Sequence, residues 1–202
     1  MATIPADVVK RLRDSTGAGM MDCKKALEET GGDMDKAVEV LRKKGAATAA
    51  KRADRTTNQG LVEAYIHAGG RIASMVELNC ETDFVAKTPE FKALAHDLAM
   101  QIAAMNPRYI TKEQVEKGVL DKELEIYTTQ AQNEGKPANI AQKVAQGRLE
   151  KFYQEVCLME QSFIKDSGKT IRDLIDEATA KVGEKVSIRR FIRYHLGEGS
   201  AS

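Results

Sequence analysis

Apolar residues recur along this chain at two different periods, and the changes of period divide it. Near the start the spacing is helical: Val8, Val9 and Leu12 follow Pro5, which suits a first helical position. Thr16-Gly17-Ala18-Gly19 stops that helix. Asp22 is the expected cap of a second, with Cys23, Ala26 and Leu27 turned inward, ended by Gly31-Gly32. Asp33 caps a third, with Met34, Ala37, Val38 and Leu41 on one face and Gly45 as its expected end. The period then falls to two. Leu61 to His67 and Arg71 to Asn79 read as strands, with Gly69-Gly70 as the turn of a hairpin. In the second strand Ile72, Val76 and Leu78 share one face and Ala73, Met75 and Glu77 the other, so one face should bury against helices.

Helical spacing returns at Thr88-Pro89, with Phe91, Leu94, Ala95, Leu98 and Ile102 up to Asn106-Pro107. Thr111 and Gln114 have the spacing of a capping box for the next helix. A helix is expected from about Asp121 to Asn133, stopped by Gly135. Pro137 opens a long one bearing Ile140, Val144, Phe152, Val156 and Met159. Gly147 inside it marks close helix contact or a weak spot. Thr170 is the expected cap of a last helix with Ile171, Leu174, Ile175 and Ala178, closed by Gly183. Val186 to Tyr194 is β-rich and can return to the hairpin as a third strand. The expected class is α+β: a three-helix N-terminal bundle, then a small three-stranded antiparallel sheet packed with helices. The expected division is a docking bundle over 1–45, a helical and basic linker over 46–59, and an α+β core over 60–202. Such a bundle has a thin core, which leaves its surface available for docking. A three-stranded sheet with an open face or edge also invites self-association.

Composition narrows the function. The chain has 202 residues with 31 basic and 30 acidic side chains, a net charge of +1, which argues against a dedicated nucleic-acid binder. No apolar stretch is long enough to span a bilayer, and Met1-Ala2-Thr3-Ile4-Pro5 lacks a secretory pattern. An odd cysteine count without CxxC makes a reducing cytoplasm the simplest setting. Cys23, Cys80 and Cys157 are widely spaced, as are His67, His96 and His195, which predicts neither a disulfide framework nor a metal site. No cofactor is expected. There is no P-loop, and Gly17-Ala18-Gly19 follows a helix and lacks the third glycine of a dinucleotide fingerprint. Ser, Cys and His sit in no nucleophile context. These absences favour a binding protein over an enzyme.

Three features carry that reading. Thr82-Asp83-Phe84-Val85 presents an aromatic and an acid at a polar corner after the second strand. Residue type alone favours Phe84 as a plug of the local core; its polar frame favours a wedge for a partner's pocket. Met20-Met21, at the loop leading into the second helix, is either core packing or an adaptable contact surface. Arg13 stands on the preceding helix as a charge contact or a solvated arginine. A third feature, the helical bundle together with the basic residues Lys51, Arg52, Arg189, Arg190 and Arg193, raises an adaptor or RNA-associated module as the alternative, and steep salt dependence of RNA binding would favour it.

Leu12-Arg13 with Thr16 to Leu27, and Glu77 to Lys87, resemble the two signatures of the translation elongation factor Ts family, in the same order and spacing. The likeness extends over essentially the whole chain, whose length is that of the family's short form. It implies a guanine nucleotide exchange factor for elongation factor Tu, which binds the GDP-bound GTPase and promotes GDP release so that GTP can enter during translation elongation. It implies an N-terminal bundle similar to ubiquitin-associated domains, with Arg13, Met20 and Met21 at positions that dock on the GTPase domain. It places Thr82, Asp83, Phe84 and Val85 in the element that disturbs the partner's magnesium, Asp83 acting by hydrogen bond or by repulsion. Short members pair through their core sheets, so the resemblance also implies a homodimer and a heterotetramer with the GTPase. No covalent chemistry, direct nucleotide binding, protein-bound metal or membrane contact is implied.

Overall fold

The computed structural model describes residues 4–199. The chain divides into two compact units, one of Met1–Glu63, Val76–His96 and Asp173–Arg189, the other of Ala64–Met75, Asp97–Arg172 and Arg190–Ser202. The class is α+β, with a three-stranded antiparallel sheet in the order β1-β2-β5.

The first unit opens with α1 (Ala6–Thr16), α2 (Met20–Glu29) and α3 (Met34–Lys51). Their shared core is Val9, Leu12, Cys23, Ala26, Leu27 and Ala37. That is the small aliphatic set the helical spacing predicts. Gly17 ends α1 at φ 67°, a backbone state that suits glycine, and its N–H donates to Arg13 O at 2.7 Å. Asp33 caps α3 by accepting from Lys36 N at 3.1 Å. Two expectations fail here. Asp22 does not cap α2, which starts earlier, at Met20 behind Gly19; Asp22 lies in its first turn and pairs with Lys44. Gly45 does not end α3, which continues to Lys51. A side chain at 45 would stand 3.8 Å from the Asp176 carbonyl and 3.9 Å from Ala180 Cβ. The glycine therefore serves close helix packing. Arg42 adds an ion pair to Asp173, at 3.3 Å.

The hairpin is β1 (Gln59–Ile66) and β2 (Ile72–Cys80), and β5 (Ser187–His195) is the third strand. Ser74, Val76, Leu78 and Cys80 are buried on one face of β2. Gly60 shows how tightly β1 meets β2. Its φ is 153°, and a Cβ there would lie 2.2 Å from Leu78 O.

After β2 come a single helical turn, α4 (Asp83–Ala86), and α5 (Pro89–Met105). Thr88 supports α5 by accepting from Phe91 N at 3.3 Å. Thr111 and Gln114 do not form a capping box. The turn behind Thr111 is a short 3-10 turn, Lys112–Gln114, without a side-chain cap, and Gln114 accepts from Ile110 N at 2.7 Å.

In the second unit α6 (Lys117–Asn133) and α7 (Ala138–Val156) form an antiparallel pair. Their core joins Val115, Phe152, Val156 and Cys157 to Tyr109, Val119, Leu120 and Tyr127. Gly147 makes no close helix contact, since a Cβ there meets nothing within 4 Å. A hairpin that alternation did not reveal, β3 (Ser162–Phe163) with β4 (Asp166–Thr170), precedes α8 (Ile171–Val182). Buried Gln101 and Gln161 hold it. Gln101 donates to Gln161 Oε1 at 3.2 Å and to Ser162 O at 3.1 Å, and accepts from Ile164 N at 2.9 Å.

Candidate functional site

Phe84 is 81% exposed, so it is not a core plug. It rides on α4, while Ala86 of the same turn is buried and anchors it. A helix of one turn cannot hold itself, because nucleation fixes several dihedrals for one hydrogen bond. Its own backbone bonds are few, and the rest of its support comes from outside the turn. Ala86 N donates to Thr82 O at 3.4 Å and Lys87 N to Asp83 O at 3.2 Å. Cys80 Sγ donates to Thr82 O at 3.1 Å. Burial, and secondarily Glu184, pushes the Cys80 thiol up from its ordinary value.

The residues on either side of the strand end are clamped by the loop before β5. Thr82 donates twice to Glu184, from its N–H at 2.9 Å and its hydroxyl at 2.7 Å. Glu81 accepts from the Lys185 N–H at 2.7 Å and pairs with Arg55 at 3.2 Å. The Lys185 N–H, with Arg55 behind it, holds the Glu81 carboxyl below its ordinary range. Asp83 is paired with Lys87 one turn on, and that hydrogen bond lowers its pKa. Both side chains of this pair remain substantially in water.

Arg13, Met20 and Met21 are exposed on the bundle, Met20 by 45% and Met21 by 61%. The methionines stand in the first turn of α2 rather than in the loop before it. The preceding loop is fixed by Thr16, whose hydroxyl donates to Leu12 O at 2.7 Å and accepts from Ala18 N at 3.3 Å. Cys23 beneath them is buried, which raises its pKa.

Of the basic residues behind the RNA alternative, Arg52, Arg189 and Arg193 bond within the fold, as does the further basic residue Lys185. Arg52 donates to Thr179 O at 3.3 Å, and Lys185 Nζ to the carbonyls of Ala53 and Arg55. Arg189 pairs with Glu77 at 3.5 Å, and Arg193 donates to Ala103 O at 3.0 Å and pairs with Glu198 at 3.1 Å. No group of three or more His, Cys, Asp or Glu among the described residues could hold a metal ion. No helix among them is long and apolar enough to cross a membrane.

Glu184 and Lys87 escaped the sequence reading. Lys87 carried a signal, four residues beyond Asp83 on a helical turn. Glu184 carried none, since 102 positions separate it from Thr82.

The chain matches the family model described as elongation factor TS over residues 6–198. It is 61% identical over 198 residues to the protein named Elongation factor Ts of Carboxydothermus hydrogenoformans, covering 98% of this chain and 91% of that one. Identity to the protein of the same name from Moorella thermoacetica is 62% over 196 residues, 97% of each. For Thermotoga petrophila it is 57% over 196 residues, 97% of this chain and 98% of the relative.

Proposed function

The chain belongs to the elongation factor Ts family of translation factors, and on that premise we propose that it is a guanine nucleotide exchange factor for elongation factor Tu. It acts by binding, in the cytoplasm, without covalent chemistry or a cofactor. The observation that carries this reading is Phe84, an 81% exposed aromatic on a turn clamped from outside.

Docking begins on the bundle. Met20 and Met21 offer polarisable, adaptable apolar contact, and Arg13 a charge beside it. Docking sets the stiff corner against the nucleotide site of the GTPase. Magnesium there bridges phosphate oxygens and switch-region groups and neutralises their charge. Phe84 enters as a wedge between those elements, with Thr82, Asp83 and Val85 shaping the contact, and loosens metal and GDP together. Asp83 must exchange Lys87 for a group of the partner if it contributes a hydrogen bond. Linkage requires reciprocity: a factor that weakens GDP binding is itself bound less tightly by the same ratio when GDP is present.

The sheet supports a further element of the proposal, a homodimer that carries two GTPase molecules as a heterotetramer. Ile66, Met75, Ile192 and Tyr194, with Leu196 just beyond β5, are exposed apolar side chains, and such concentrations mark contact surfaces. Sedimentation of the protein alone and with the GTPase checks both states; a monomer alone and a one-to-one complex would remove this element.

The exchange reading is tested by release of a fluorescent GDP analogue from cognate elongation factor Tu. The wild-type chain should accelerate release strongly. A release rate equal to that of the GTPase alone would sink the reading.

A further inference from the structure

Thr82 occupies the position that normally caps a helix, yet its side chain does not cap α4. Its hydroxyl and its N–H both turn to Glu184, one to each carboxylate oxygen. A Thr that bonded its own helix would fix only the local backbone. A Thr bonded to a distant carboxylate fixes the turn relative to the rest of its unit. The neighbouring pair repeats the arrangement with reversed polarity, Glu81 accepting from the N–H of Lys185. Two adjacent residues of the loop between α8 and β5 therefore grip two adjacent residues of the corner. The backbone bonds of Ala86 and Lys87 lie within the turn, so beyond the buried Ala86 side chain and the Cys80 thiol the hydrogen bonds that reach α4 from elsewhere in the chain come from this loop. The grip is charge-assisted, which makes such bonds short and directional.

We propose that Glu184 is a positioning residue for nucleotide exchange: by holding Thr82 it aims Phe84 at the partner's metal site. The proposal rests on the exchange reading above. A wedge works only if its support does not yield, and misplacement by about 1 Å can cost up to about a hundredfold in rate. Glu184 itself touches no substrate. Its effect must pass through Phe84, and that makes it separable from a general contribution to folding.

The test uses the full chain and cognate GTPase loaded with fluorescent GDP, comparing wild type, Phe84→Ala, Glu184→Ala, Glu184→Gln and the double variant Phe84→Ala/Glu184→Ala. Saturated release rate and half-saturating concentration are read separately. Glu184→Ala should lower the saturated rate about tenfold. Half-saturation should stay within about threefold, because the bundle is untouched. Glu184→Gln, which keeps the shape and one acceptor oxygen for two donors, should fall between. It also carries the test if the alanine variant does not fold. The double variant should be no slower than Phe84→Ala alone, since coupled residues are not additive. Amide hydrogen exchange over residues 83–88 should rise in Glu184→Ala while that of α2 stays as in wild type. Losses that multiply in the double variant, or a wild-type rate in Glu184→Ala while Phe84→Ala is slow, overturn the proposal and leave the exchange reading standing. No acceleration by the wild-type chain overturns both.

Discussion

The bundle and the corner both expose apolar side chains, but they hold them by opposite means. Met20 and Met21 lie on a helix with its own hydrophobic core beneath it, and their long side chains are free to adapt. Phe84 lies on a turn with almost no core of its own, held by Glu184, Glu81, Lys185 and Arg55. On the proposed exchange reading, an adaptable surface suits docking. A rigid aromatic suits displacement, where yielding would lose the effect. The difference lies in the support beneath two sets of exposed apolar side chains.

Replacing the aromatic should break the comparison most sharply. Phe84→Ala is expected to slow saturated GDP release by about tenfold or more, with half-saturation changed by only a few-fold, in a titration of the fluorescent-nucleotide assay. Full activity would mean that the corner is not the wedge. Truncating Met20 and Met21 together to Ala should give the converse, weaker docking by about tenfold, or ~1.4 kcal/mol, with the saturated rate retained. Isothermal titration against the GTPase measures the first, and the release assay the second. Should both variants alter the same parameter, the two regions do not have separate roles.

Gly60→Ala tests the support rather than the contact. The added Cβ collides with the β2 backbone, so unfolding free energy should drop by about 1–3 kcal/mol in a denaturant titration. The melting of the bundle separates from that of the corner if the two regions are independent, and a single lowered transition shows one cooperative unit. Alkaline pH probes the floors of both. Burial raises the thiol pKa values of Cys23 and Cys80 from their ordinary value, and pushes Cys157 in the other unit up to about 11. Above the ordinary thiol value the unfolded chain loses protons that the folded chain keeps, so stability falls as pH rises from about 9. Cys23→Ala and Cys80→Ala should each remove part of that slope in melts taken at pH 8 to 10.5; slopes equal to wild type would show that neither thiol is buried in solution. The smallest expected effect is at Lys87. In Lys87→Met the Asp83 carboxyl should titrate nearer its ordinary range by NMR, while exchange changes less than about threefold, as befits an exposed pair.

Much of this architecture was legible in the residue pattern. Leu12, Ala26, Leu27 and Ala37 are buried where the helical period placed them, and Val76 and Leu78 where the strand period did. The misreadings share a cause. Gly45 looked like a stop because glycine commonly ends helices, but here it lets α3 approach α8. Asp22 looked like a cap, but it pairs with Lys44, 22 positions on. The β3–β4 hairpin is too short to alternate, and its support comes from Gln101, far back in α5.

Local pattern determined the elements of this protein, because side-chain periodicity, glycine and proline act on the nearest few residues. The family likeness of Thr82-Asp83-Phe84-Val85 was also local. Whether Phe84 fills the core or faces the solvent was decided only in three dimensions. A one-turn helix takes its direction from whatever grips it, and the grip is a carboxylate 102 positions away on the chain.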